Sequence, residues 1–180
     1  MSDLETIFEE VKERSAEWRP KFVDVEDVRT LADMINKPHE DYPKRVDATE
    51  FCIRSIIGFD EHEMDEGFLF LCHSTIMTGL ESRGRYRTKE VHIVGSSQMV
   101  NVATGEILTK REIVYTPPNY LLIPYLMSRI MPVRSTDDLI QWYRLFQSIH
   151  PFEDGNGRVG GVILGVLNFL KTGKYLAPLQ

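Results

Sequence analysis

The chain has few of the features that mark a secreted, membrane-spanning or nucleic-acid-binding protein. It has only two cysteines in 180 residues, Cys52 and Cys72, both in apolar stretches, which indicates buried thiols of a reduced, cytoplasmic protein. No window is apolar enough to cross a bilayer, and the acidic N-terminus lacks an apolar signal core. The net charge of −6 argues against broad binding to nucleic acid or anionic membranes.

What is present is the composition of an ordinary globular protein, with 42% hydrophobic and 27% charged residues. A chain of 180 residues is long enough for one domain with a substantial core. Most of the chain carries the hydrophobic periodicity of helices, so we predict a mainly α fold. Capping residues and glycines set the predicted helix boundaries in the first part, residues 1–65. Helices are predicted to start at four places: at a capping box formed by residues 2–5, at Asp24, at Asp47 and at the charged run 60–63. The predicted ends include Asn36 and Gly58. After this part, an apolar helix is predicted to span residues 66–82.

Residues 90–116 change from the helical period to an alternation of apolar and polar residues. The stretch 103–106, Ala-Thr-Gly-Glu, supplies a turn between the two halves. We therefore predict a β-hairpin, the only strong strand signal in the chain. The pattern by itself leaves open whether this hairpin covers the core or binds a ligand.

The segment from His150 to Arg158 concentrates chemical groups between two stretches of helical periodicity, which predicts a tight loop joining two buried helices. Gly155 and Gly157 permit backbone angles that turn successive N–H groups toward one point at the start of the next helix. Arg158 adds a charged fork suited to phosphate, Asp154 can hold a divalent cation, and His150 is placed to act as a general base. Together these groups predict phosphoryl or nucleotidyl transfer.

Two simpler interpretations of this segment compete with the chemical one. Asp-Gly-Asn-Gly is also a strong turn signal, so a plain loop is one alternative. The segment also begins like an EF-hand calcium loop, but that loop needs Asp or Asn and then Gly where this chain has Arg158 and Val159, and Glu where it has Gly165. The EF-hand interpretation is therefore excluded.

The segment 150–161 resembles the signature of the Fic family, His-Pro-Phe-x-Asp/Glu-Gly-Asn-Gly-Arg-x-x-Arg, at every fixed position except the last, which is Gly161. A weaker resemblance covers the rest of residues 66–180 and includes Gly84-Arg85-Tyr86-Arg87. It implies a Fic-type helical bundle with one β-hairpin flap, in which residues 1–65 are an N-terminal helical part and residues 66–180 are the Fic core of a single domain.

The resemblance implies a protein nucleotidyltransferase that moves AMP from ATP, with Mg²⁺, to a hydroxyl side chain of a target protein (AMPylation). The hairpin, about residues 90–116, would be a flap that holds the target by main-chain hydrogen bonds. The implied roles are general base for His150, Mg²⁺ ligand for Asp154, cradle of the α- and β-phosphates for Gly155, Asn156 and Gly157, and clamp of the β-phosphate for Arg158.

Two features of the family are missing. Its second arginine, which binds the γ-phosphate, is replaced by Gly161, so a non-catalytic or altered-donor nucleotide-binding module is the alternative function. Its inhibitory motif, Ser/Thr-x-x-x-Glu-Gly/Asn, has no match: His62 stands four residues before Glu66, and Val11 follows Glu10. Either a separate inhibitor or antitoxin protein supplies the inhibition, or the motif is absent because its arginine partner is absent.

Overall fold

The computed structural model describes residues 3–59 and 61–179, and within them the fold is mainly α, as predicted. None of the helices in this described part combines the length and hydropathy needed to cross a membrane. The helices are α1 (Asp3–Glu17), α2 (Val28–Asn36), α3 (Val46–Phe59), α4 (Glu66–Ile76), α5 (Ile123–Ser128), α6 (Leu139–Ile149) and α7 (Asn156–Thr172). The strands are β1 (Lys21–Val25), β2 (Glu63–Met64), β3 (Ile93–Val100), β4 (Ile107–Tyr115), β5 (Val133–Arg134) and β6 (Tyr175–Leu179).

Helix α7 lies at the centre of the core, and glycines allow its neighbours to approach closely. A Cβ atom added at Gly160 would meet the side chains of α6, with Gln147 Nε2 at 2.6 Å. A Cβ at Gly165 would meet Leu31 of α2 at 2.9 Å. The absence of side chains at these positions therefore lets α6 and α2 pack against two faces of α7.

The N-terminal part is not wholly helical, and the prediction that Asp24 caps the second helix is wrong. Residues 21–25 form β1, which pairs antiparallel with β6 from Lys21↔Leu179 to Val25↔Tyr175. The N-cap of α2 is Asp27, whose carboxylate accepts a hydrogen bond from Thr30 N at 2.8 Å. The paired residues lie 150 to 158 positions apart in the chain, so no local pattern could indicate the pairing.

Four other predicted helix boundaries also differ, and one of them is the charged run 60–63: its described residues begin no helix, and Glu63 lies in β2. Helix α3 begins one residue before Asp47 and continues through Gly58 to Phe59. Helix α4 has Asp65 as its N-cap and ends at Ile76 rather than at residue 82, after which Gly79 takes a φ of +92° that a helix cannot continue. Ser2 and Asp60, which belong to the first capping box and the charged run, lie outside the described residues.

The predicted hairpin is confirmed. Strands β3 and β4 pair antiparallel from Ile93↔Tyr115 to Val100↔Ile107, with a bulge at the Ile93 end. Gly105, in the connecting turn, has a φ of +70°. Most side chains of both strands are exposed to solvent, so the hairpin projects from the helical core and does not cover it.

Candidate functional site

Helix α6 has His150 as its C-cap, and the backbone of this residue adopts a left-handed conformation (φ 53°, ψ 60°). Among the described residues it is the only one other than glycine with a positive φ. This conformation is sterically unfavourable for residues that carry a side chain. The His150 N–H still donates to Phe146 O at 2.9 Å. The chain therefore leaves the helix sharply at the residue predicted to be the general base.

The loop after His150 is anchored by Phe152, whose side chain is fully buried. The ring stacks on the imidazole of His73 from α4, with 3.9 Å between centroids. The Asn156 amide closes the loop, since its Oδ1 accepts from Phe152 N and its Nδ2 donates to Phe152 O, each at 2.9 Å. The Asn156 side chain therefore holds the loop together, which leaves only its backbone N–H for a phosphate.

His73 braces the same loop from α4. Gly84 N–H donates to His73 Nδ1 at 2.8 Å, so Nδ1 is the acceptor and Nε2 carries the hydrogen that bonds Asp154 O at 2.9 Å. Burial lowers the pKa of His73, which favours this neutral form. Sequence analysis did not identify His73, because an apolar helix gives no sign of a histidine that bonds a distant loop.

The N-terminus of α7 has the geometry of an anion site. Gly155, its N-cap, has a φ of +83°, and an added Cβ would meet Met77 Sδ at 2.7 Å. The first helical bond is donated by Val159 N to Gly155 O, so the N–H groups of Asn156, Gly157 and Arg158 are not used within the helix. A phosphate at this end would meet those donors and the positive end of the helix dipole.

The Arg158 guanidinium is buried beneath this helix end, with 1% of the residue exposed. Its Nη1 donates to Asp41 Oδ1 at 2.6 Å, and its Nη2 donates to Asp154 Oδ1 at 3.2 Å. Its Nε is buried and has no hydrogen-bond partner among the described residues. Since an unpaired buried donor is costly, this atom fits a site that an anion completes.

Asp41 brings the loop between α2 and α3 into the site, which sequence analysis did not predict. Burial by itself would raise the pKa of Asp41, but the hydrogen bond from Arg45 and the charge of Arg158 bring it below its ordinary value. His39, in the same loop, has a buried Nε2 without a partner among the described residues. Its pKa is lowered by burial and by the charge of Arg158.

Asp154 is the one predicted site residue that faces solvent, with 55% of its side chain exposed. Its Oδ1 accepts from Gly155 N at 2.6 Å. No cluster of three or more His, Cys, Asp or Glu side chains in the described residues could hold a metal. A Mg²⁺ ion at Asp154 would therefore take its other ligands from phosphate oxygens and water, as this ion commonly does.

One nitrogen of the His150 ring, Nε2, carries no hydrogen and can accept a proton. Its Nδ1 lies 3.4 Å from Gln147 O, and because a carbonyl can only accept, Nδ1 carries the hydrogen and Nε2 holds the lone pair. Burial, with a smaller contribution from the charge of Arg87, lowers the pKa of His150 to about 4. The ring is therefore neutral and able to accept a proton at physiological pH.

Position 161 is covered by α2. A Cβ added at Gly161 would meet Ile35 Cγ1 at 3.1 Å and Cδ1 at 3.3 Å. A side chain at this position would require Ile35, which is buried, to shift by a few tenths of an ångström. The missing second arginine thus coincides with a close contact between two helices.

The sequence model of the Fic/DOC family matches residues 63–167. A probable protein adenylyltransferase of Aquifex aeolicus (strain VF5) is 26% identical over 136 residues, which cover 67% of this chain and 37% of that protein. The chain therefore spans little more than a third of the length of this relative.

Two crystal structures share the fold. A Fic family protein from Desulfovibrio desulfuricans G20 matches with a TM-score of 0.52 and 17% identity, over 95% of this chain and 57% of that one. A Fic domain containing signaling protein from Bacteroides thetaiotaomicron VPI-5482 matches with a TM-score of 0.52 and 14% identity, over 94% and 72%. The family model covers more than half of the chain and includes the loop described above, so this chain belongs to the Fic/DOC family.

Proposed function

We propose that the protein transfers AMP from ATP, with Mg²⁺, to a hydroxyl side chain of a target protein. The observation that carries the proposal is the loop that joins α6 and α7. It combines a neutral imidazole with an unprotonated Nε2, unused N–H groups at a helix N-terminus, and a buried guanidinium with one unpaired nitrogen. The name of the Aquifex aeolicus relative, a probable protein adenylyltransferase, supports the same reaction.

In the proposed reaction, the N–H groups of Gly157 and its neighbours and the Arg158 guanidinium hold the phosphates. His150 Nε2 takes the proton from the target hydroxyl while that oxygen attacks the α-phosphorus. The bond from the α-phosphorus to the bridging oxygen breaks, and pyrophosphate leaves with its electron pair. A Mg²⁺ ion held by Asp154 would neutralise phosphate charge as it develops.

The hairpin is the proposed binding surface for the target protein. Its two strands expose most of their side chains, and each strand has one edge that the other strand does not cover. Such an edge can add a segment of another protein by main-chain hydrogen bonds. This mode would place a hydroxyl beside His150 without requiring a particular target sequence.

A second candidate, a donor other than ATP, is favoured by the packing at position 161. Because position 161 is a glycine packed against Ile35, it offers no side chain to hold a γ-phosphate. The Arg158 guanidinium and the α7 N-terminus would still hold a diphosphate. A nucleoside diphosphate or a diphosphate-linked group is therefore the alternative donor.

Intact-mass measurement with Mg²⁺ and each of ATP, GTP, CTP and UTP tests the proposal, because self-modification needs no known target. We expect a nucleotidyl mass increment with ATP that falls by about 10²- to 10⁴-fold in rate in His150→Ala, the usual contribution of a general base. An increment unaffected by His150→Ala would contradict the proposed mechanism. Saturable nucleotide binding with no increment from any donor would instead favour a binding module.

A further inference from the structure

Arg87 is a buried arginine to which sequence analysis gave no role beyond its place in Gly84-Arg85-Tyr86-Arg87. None of its side chain is exposed, whereas Arg85 in the same segment faces solvent. The Arg87 guanidinium donates to three carbonyl oxygens: Nε to His150 at 2.9 Å, Nη1 to Lys89 at 3.0 Å and Nη2 to Pro118 at 2.6 Å. Its backbone N–H also donates to Pro151 O at 2.9 Å.

These acceptors belong to two parts of the proposed site. Lys89 lies just before the hairpin and Pro118 just after it, so both ends of the hairpin are fastened to one guanidinium. The third acceptor, the His150 carbonyl, lies at the C-terminus of α6, where a carbonyl has no partner within the helix and a positive charge is favourable. One side chain thus links the base to the surface proposed to hold the target.

We propose that Arg87 is a positioning residue that sets the hairpin at a fixed distance from His150, so that a bound hydroxyl meets the imidazole. The inference rests on the proposed function and adds to it a residue that touches neither nucleotide nor target. A lysine cannot replace it, because an ammonium group lacks the planar fork that reaches three carbonyls at once. Arg87 makes no hydrogen bond or ion pair with Arg158 or Asp154, so it should affect transfer more than nucleotide binding.

Arg87→Lys tests this, with Arg85→Lys as the matched control for the same change at an exposed neighbour. We expect the transfer rate at saturating nucleotide to fall about 100-fold in Arg87→Lys, while the nucleotide Kd changes less than about twofold. Hydrogen–deuterium exchange should become faster at position 87, whose N–H donates to Pro151 O, and at Ile93 and Tyr115, which pair at the base of the hairpin. Arg85→Lys should behave as the unsubstituted protein in all three measurements.

A second variant, Arg87→Gln, keeps the test valid if the lysine variant does not fold. It removes the charge, so the NMR titration midpoint of His150 should rise from its low value. Both NMR and hydrogen exchange need no turnover, so they test Arg87 even if the unsubstituted protein transfers nothing. A folded Arg87 variant with unchanged exchange, titration and rate would overturn the inference, as would a loss of nucleotide affinity in parallel with the rate.

Discussion

The loop between α6 and α7 and the hairpin β3–β4 are built in opposite ways. In the loop, Phe152 is fully buried and the polar groups around it are bonded by His73, Asn156 and Arg87. In the hairpin, Val102 at the turn is 99% exposed, and the two strands bond mainly to each other. A two-stranded hairpin is marginally stable by itself, so its position depends on its ends. The comparison indicates that the loop proposed for chemistry is held by buried contacts and hydrogen bonds, whereas the surface proposed for the target is open.

The largest effect should come from removing the anchor of the loop. Phe152→Ala leaves a cavity beneath His73, Tyr86 and Phe146, so we expect it to lower the free energy of unfolding by about 3–5 kcal/mol. Val102→Ala, the control from the hairpin, should change it by less than about 0.5 kcal/mol. Urea unfolding of the two variants measures both. A similar loss of unfolding free energy in the two variants would contradict the proposed difference between the loop and the hairpin.

Acid should lower the free energy of unfolding through His150 in the loop. Burial lowers the pKa of His150 to about 4, so between about pH 6.5, the ordinary histidine value, and pH 4 the unfolded chain binds a proton that the folded chain does not. Above pH 6.5 this difference in proton binding leaves the free energy of unfolding unchanged. As the pH falls through the window, the free energy of unfolding decreases by at most about 1.4 kcal/mol per pH unit. Urea unfolding from pH 7 to 5 should show the slope, and His150→Gln should make it shallower. An identical slope in that variant would contradict the expectation.

The charge beside Arg158 should have a smaller effect, on binding. Asp41→Asn keeps an oxygen acceptor for Arg158 but removes a negative charge next to the proposed phosphate site. We expect the nucleotide to bind more tightly by on the order of 1 kcal/mol, or about fivefold in Kd. Asp47→Asn, in an exposed ion pair with Arg29, is the matched control and should leave the Kd unchanged. Isothermal titration calorimetry measures the nucleotide Kd of both variants. Weaker binding in Asp41→Asn would show that Asp41 helps to orient Arg158.

Asp41 also shows where prediction from sequence ends. The loop, its two helices and the hairpin could be predicted because each is encoded locally, by periodicity, by turn residues and by the spacing of the motif. The contact of Asp41 with Arg158 joins residues 117 positions apart, and the pairing of β1 with β6 joins residues 150 to 158 positions apart. Five-residue strands such as β1 carry too little pattern to be told from a helix start. Such pairings depend on which elements meet in the folded chain, so no local window contains them.

Side-chain changes on the hairpin should have the smallest effect of all. Val100 and Ile107 face each other across the strands and are each 61% exposed. Replacing both by threonine keeps β-branched side chains, so the free energy of unfolding should change by less than about 0.5 kcal/mol. If the target is held by main-chain hydrogen bonds, the transfer rate should also change little, since threonine leaves every N–H and C=O in place. A rate that falls more than about tenfold in a stable variant, by intact mass, would show that these side chains themselves contact the target. The side chains of the hairpin would then contribute to target specificity, and the hairpin and the loop would differ only in how exposed their side chains are.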